Sequence, residues 1–330
     1  MRFTSQRPMI LNKLALSLLL LALIAAAVMW RLRVVEAASE AAAPPLGQFL
    51  TVNGALVHAL IKGNGPDLVL LHGAGGNLRD FDLGLIDRLT PHYRVIAFDR
   101  PGLGWSDAIP NGTDIPTQAR HLRAAAAQLG VKTPIVLGHS FGGAVAMAWA
   151  LQAQEAKVDT AADAAADAAA LVIIAGATMP FPGEVARWYH LTGGAFGWAV
   201  NPLITLLASP TRVDSSLEAT FSPDPVPAGY AGHIGTGLTT RRKTLAQNGA
   251  QVLAMKENLI TLLRTYPNLP LPVELLHGLA DTTVPAKIHA EPLSKILPNA
   301  HLTLFPNTGH MLHHVHAQAV VDAINRAAQR

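Results

Sequence analysis

Hydrophobic positions along the chain follow two periods. Short apolar runs at residues 49–52, 56–61, 68–71, 95–98, 135–137, 171–174, 273–276 and 302–305 have the length of buried strands. Helical patterns at 117–129, 142–154, 286–297 and 312–328 separate most of them. The first two runs flank Asn53-Gly54, a two-residue hairpin signal. Buried runs alternating with amphipathic helices predict βαβ units and an α/β fold, its mainly parallel sheet covered on both faces. Two segments break the rhythm. Residues 161–170 (AADAAADAAA) are low in complexity and read as an extended helix end or an insertion. Residues 178–271 carry Trp188, Tyr189, Trp198, Tyr230 and several prolines without a clear strand, and read as a helical cap over the sheet.

A third pattern occupies the N-terminus. Residues 14–30 hold no charge and only Ser17 as a polar member, and Arg2, Arg7 and Lys13 precede them. A run of 17 residues reaches the lower limit for a membrane span. A cleaved signal has a shorter apolar stretch with a small-residue site close behind, whereas here Arg31 and Arg33 follow and the small residues come late. The expectation is therefore an uncleaved anchor, with secretion after cleavage as the alternative. Three bases before the run against two after it place the remainder outside the cytoplasm. The boundaries expected are a membrane segment at 1–34, a linker at 35–47, a core at 48–177 and 272–330, and the cap at 178–271.

Composition changes the picture in two places. The net charge of +3 comes from the membrane segment: five of the 25 Lys and Arg precede residue 34 and none of the 22 acids does. The rest is slightly acidic, so no nucleic-acid surface is expected. With no cysteine, disulfides, thiolate metal sites and a Cys nucleophile are excluded.

Four motifs carry chemistry, each just past a predicted strand. Gly138-His139-Ser140-Phe141-Gly142 lies between a strand and a helix, where a serine on a sharp turn needs glycine two residues to either side. His72-Gly73-Ala74-Gly75-Gly76 is a loop able to supply a backbone donor, with Ala74 joining Phe141 as the two oxyanion N–H groups. It lacks the Lys-Ser/Thr of a phosphate loop. Asp281 lies in Gly278-Leu279-Ala280-Asp281, and His310 in Asn307-Thr308-Gly309-His310. A serine hydroxyl needs a base, and the base an acid to orient it. In a parallel sheet all three gather on one rim, in the order Ser, Asp, His.

The hairpin start, HGAGG, DRPGLGWSD (99–107), GHSFGG, the helical insertion, GLADTTVP and the final GH together resemble the α/β-hydrolase superfamily, serine-nucleophile branch, over about residues 47–330. The resemblance implies an eight-stranded, mostly parallel sheet with a cap inserted after the sixth strand. It carries over Ser140, Asp281 and His310 as a triad, with Phe141 and Ala74 as oxyanion donors, and needs no cofactor. Family members with an Asp nucleophile are set aside because Ser140 stands at that position. Esterase action on a small-molecule ester with a hydrophobic part is the leading expectation. Carbon–carbon bond hydrolysis or perhydrolysis by the same triad, and a non-catalytic receptor on this fold, are the alternatives.

Residues 100–106 read as scaffold near the rim, with Trp105, Trp188 and Tyr189 as candidate pocket walls. His139 is expected to pack or hydrogen-bond instead of acting as a second base. His313, His314 and His316 are not expected to bind metal, because no acidic partner is spaced to complete a site. Arg241, Arg242 and Lys243 are expected on a solvated face. Asn111-Gly112-Thr113 reads as a turn.

Overall fold

The computed structural model describes residues 7–155 and 167–330, so most of the low-complexity tract at 161–170 lies outside the described residues. The strands are β1 (Gln48–Val52), β2 (Ala55–Lys62), β3 (Asp67–Leu71), β4 (Arg94–Phe98), β5 (Ile135–His139), β6 (Ala170–Ile174), β7 (Val273–Gly278) and β8 (Ala300–Phe305). They form one sheet in the order β1-β2-β4-β3-β5-β6-β7-β8. β2 is antiparallel to β1 and β4, and every later pairing is parallel. All eight predicted strands are present. Asn53 and Gly54 both take positive φ (49° and 80°), the geometry that turns a two-residue hairpin with the twist of its strands.

The helices are α1 (Arg7–Ala42), α2 (Arg79–Asp82), α3 (Leu85–Leu89), α4 (Ile115–Gln128), α5 (Phe141–Glu155), α6 (Arg187–Gly193), α7 (Gly197–Leu207), α8 (Pro210–Phe221), α9 (Tyr230–Ile234), α10 (Thr236–Thr239), α11 (Arg242–Leu263), α12 (Ala290–Ile296), α13 (Leu312–Val315) and α14 (Ala317–Ala328). Six of them, α6 to α11, lie between β6 and β7. Alternate side chains of each strand serve opposite faces of the sheet. Val69 and Leu71 join the layer built with α4 and α5, while Leu68 and Leu70 join the layer built with α3 and α14. The helix expected over 312–328 is split at His316, whose φ of −117° and ψ of 43° leave the helical region.

The N-terminal region differs from expectation in two respects. First, α1 runs on through Ala42, so only residues 43–47 remain of the predicted linker. Second, the end of α1 is docked. Leu32 is buried, Glu36 receives Arg242 at 2.7 Å, and Glu40 receives Arg241 at 2.9 Å. Arg241 and Arg242, expected on a solvated face, are thus a clamp on α1, because carboxylates far away in sequence lie opposite them, whereas Lys243 is exposed. The earlier part of α1 is long and apolar enough to cross a membrane by length and composition, and none of its most apolar window is covered.

Candidate functional site

Ser140 sits on the turn from β5 into α5 with φ of +53°, a left-handed conformation that costs a non-glycine residue energy and persists only where its surroundings enforce it. Enforcement is visible. Its N–H donates to Ile174 O, and its carbonyl accepts from Gly143 and Ala177 N–H groups, each at 3.0 Å. Glycine on both sides is a steric necessity: a Cβ on Gly138 would lie 2.3 Å from Gly142 O, and one on Gly142 would lie 2.1 Å from Leu71 O. The loop after β3 passes directly over the serine, so that a Cβ on Gly73 would meet Ser140 Oγ at 3.4 Å.

That loop is held by a residue of the 100–106 segment, which the sequence alone marks only as scaffold near the rim. Arg100, fully buried just past β4, donates from Nε to His72 O, from Nη2 to Gly73 O, and from Nη1 to Gln118 and Gln251. Its guanidinium lies 4.2 Å from the centre of the Phe141 ring. Among the described residues no carboxylate accepts from it, and burial lowers its pKa to about 9. The helical insertion adds two ties: Gly75 N–H donates to Asn248, and Thr239 donates to Gly75 O. Asp99 holds the next segment through Leu78 N, Trp105 N and His58. An arginine at the end of a parallel strand was the available signal for Arg100, but its four acceptors come from three separate segments.

Asp281 and His310 meet as expected. His310 Nδ1 lies 2.8 Å from Asp281 Oδ2, so the ring is oriented with Nε2 directed away from Asp281. Burial would raise the Asp281 pKa. Hydrogen bonds from His277 and His310, with Val284 N–H on the other oxygen, overcome this and hold the carboxyl well below its usual range. The His310 loop is fastened by the insertion too, since Gly309 N–H donates to Asp224 at 2.7 Å. His289 is pushed down to about 4 by burial and then by His277, and stays neutral while accepting from Met179 N–H.

Behind His310 lies an arrangement that corrects the reading of the histidine run. Asp80, brought from α2, accepts from His313 at 3.0 Å, His314 at 2.9 Å and the Tyr230 hydroxyl at 2.6 Å. An acid does complete a histidine group: ligand atoms of Asp80, His139 and His313 all lie within 4.8 Å of one another. The chemistry is nonetheless that of a hydrogen-bonded carboxylate. A metal on His313 Nε2 would move that proton to Nδ1, which is buried without a partner among the described residues. His139 is neutral, since burial drives its pKa well down, and its Nε2 donates to His310 O at 3.2 Å. His316 bonds Thr308.

A cavity of about 890 Å³ opens above Ser140 and His310. Phe141, Ala74, Trp188 and Tyr189 line it, as do Ile204, Leu207 and Met255 from the insertion. Trp105 does not. Its indole donates to Ala43 O and its ring lies near Arg241, so it fixes the segment after α1 instead of walling the pocket.

A family model described as the alpha/beta hydrolase family matches residues 68–323. A pimeloyl-[acyl-carrier protein] methyl ester esterase of Vibrio vulnificus is 30% identical over 266 residues, which cover 77% of this chain and 91% of that one. The magnesium-chelatase 30 kDa subunit of Rhodobacter capsulatus is 31% identical over 263 residues, covering 79% and 86%. Among solved structures, the enol-lactonase of Burkholderia xenovorans shares the fold with a TM-score of 0.68 at 19% identity, over 86% of this chain and all of its own.

Proposed function

The chain belongs to the alpha/beta hydrolase family, and from that premise we propose that it hydrolyses a carboxylic ester with an apolar moiety through a serine acyl-enzyme, held at a membrane by its N-terminal helix. The observation that carries the reading is the oriented His310–Asp281 pair on the same rim as a serine in an enforced left-handed turn. Support for an ester comes from the Vibrio relative, an esterase by name, and support for an apolar moiety from the cavity lining.

In this mechanism Ser140 Oγ attacks the ester carbonyl while His310 Nε2 takes its proton. Asp281 keeps the imidazole in the required tautomer and stabilises its cation. The oxyanion is met by the N–H groups of Phe141, at the start of α5, and Ala74. His310 then returns the proton to the departing alkoxide, which leaves as the alcohol. Water repeats the sequence to release the acid and restore Ser140. The helices α6 to α11 act as a cap that selects substrate and excludes bulk water. Arg100 is a positioning residue, since it holds the His72–Gly73 carbonyls and Phe141 in place. The bases preceding and following the apolar run favour a catalytic part outside the cytoplasm.

The test is the full chain in detergent, exposed to a fluorophosphonate probe and assayed on p-nitrophenyl esters of increasing length. Labelling of the wild type, lost in Ser140→Ala, is expected, with turnover at least about 10³-fold lower in Ser140→Ala and His310→Ala. A folded wild type that neither labels nor turns over any ester would overturn the reading.

A further inference from the structure

The helix α7 is built inside out. Its buried positions are Gly197, Asn201 and Thr205, one line of small and polar residues four apart. Asn201 donates to Thr192 O and Thr205 to Asn201 O and Thr240 O, so the inward face is anchored by hydrogen bonds. The outward face is apolar: Phe196, the residue before the helix, is 70% exposed, Leu203 58% and Leu207 62%. Phe196, Leu203 and Leu207 are spaced seven and four apart and so share one side of the helix. A water-facing helix carries the opposite pattern.

Its neighbours say what covers this face. Thr205 is bonded to Thr240, next to the Arg241–Arg242 clamp that holds Glu40 and Glu36 of α1. Arg242 also reaches Met29, at the end of the uncovered apolar stretch of α1. The point where α1 leaves the folded part is therefore beside the C-terminal half of α7, and α1 is one unbroken helix across that point. Exposed Arg31 and Arg33 mark the headgroup level there. The cavity above Ser140 reaches the surface at the same place, because Leu207, Ala208 and Arg212, all exposed, belong to its lining.

We propose that the outward face of α7 lies in the interface of the bilayer that α1 enters, and that the cavity opens there to admit an amphiphilic, lipid-like ester from the membrane. The occupant is lipid, since the face is continuous with the membrane helix. This rests on the anchor and ester-hydrolase reading above. An apolar helix face settled at the acyl boundary is a recognised way for a membrane enzyme to be seated.

The absence of native cysteine makes the test direct. Single Cys variants of the full chain, Leu20→Cys in the span, Phe196→Cys and Leu203→Cys on α7, and Arg120→Cys on an exposed position of α4, are labelled with an environment-sensitive dye in lipid nanodiscs. Lipids carrying a bromine or nitroxide quencher in the acyl chain are then introduced. Quenching at positions 20, 196 and 203 but not at 120 is the expected result. Quenching at 20 with none at 196 and 203 overturns the proposal and leaves the anchor standing; none at 20 overturns both. A blue shift at 196 and 203 that lipid quenchers do not touch assigns the face to a protein partner or a second copy, which also overturns it. In the activity arm, Phe196→Ser with Leu203→Ser lowers the ratio of turnover on a vesicle-dispersed long-chain ester to turnover on a soluble short one by about tenfold, from apolar area lost at the interface. An unchanged ratio overturns the delivery role. A wild type with lipid quenching but no ester turnover brings down the hydrolase reading alone.

Discussion

Two helices of this molecule, α5 and α7, are both short and strongly apolar, yet they meet opposite fates. In α5 the stretch from Ala144 to Leu151 is buried all round, pressed between the sheet and α4. In α7 Leu203 and Leu207 are exposed, while Gly197, Asn201 and Thr205 face inward. Hydrophobicity alone therefore did not assign either helix its place. α5 is fixed by its start: the turn at Ser140 aims it across the sheet, and glycines at 138 and 142 let it come within contact of β3. α7 is fixed by polar bonds to Thr192 and Thr240, which leave its apolar side to whatever lies beyond the protein. Burial in α5 supports the rim that carries Ser140, and exposure in α7 leaves the face proposed above to meet the bilayer.

The sharpest way to break this comparison is to place the same charge on each helix. Val145→Asp buries an unpaired carboxylate and is expected to cost more than about 4 kcal/mol, preventing recovery of folded protein. Next in size is Arg100→Met beneath the start of α5. It strips donors from His72, Gly73, Gln118 and Gln251, and leaving buried acceptors unpaired costs about 1–3 kcal/mol each. With the loop over Ser140 displaced, kcat is expected to fall about 10²-fold, read against a smaller change in Arg100→Lys.

Acid should act on the same rim. His72 and His289 are held to about 4 from an ordinary 6.5, chiefly by burial, so the unfolded chain binds protons that the folded one refuses between those values. Stability therefore falls as pH drops from about 6.5 to about 4. Asp80 and Asp281, held low in the fold, extend the loss below about pH 4. A melting temperature that is flat or rises between pH 6.5 and 4 would contradict this. The smallest effect is reserved for α7. Leu203→Asp is expected to shift stability in detergent by no more than about 0.5 kcal/mol, measured by denaturant unfolding. A large loss there would mean that the outward face is packed after all.

The catalytic candidates were legible because their signals are local. Ser140, Asp281 and His310 each follow an apolar run that reads as a strand, and parallel pairing alone sends such positions to one rim. The Asn53-Gly54 hairpin and the eight strands were legible for the same reason. Other features depended on contacts between distant segments. Asp80 meets His313 and His314 across more than 230 residues, Trp105 turns toward Ala43 instead of the cavity, and Arg241 and Arg242 meet carboxylates of α1.

From the residues alone came the α/β alternation, the apolar N-terminal run and the chemistry available at each strand end, because periodicity and turn stereochemistry are properties of a few neighbouring residues. Folding in three dimensions settled which acid backs which histidine, which arginine holds the loop over Ser140, how α1 joins α7, α10 and the start of α11, and which side of α7 is left bare. Each of these depends on burial and charge pairing between segments far apart in the chain, and burial is a property of the assembled neighbours, which no local window contains.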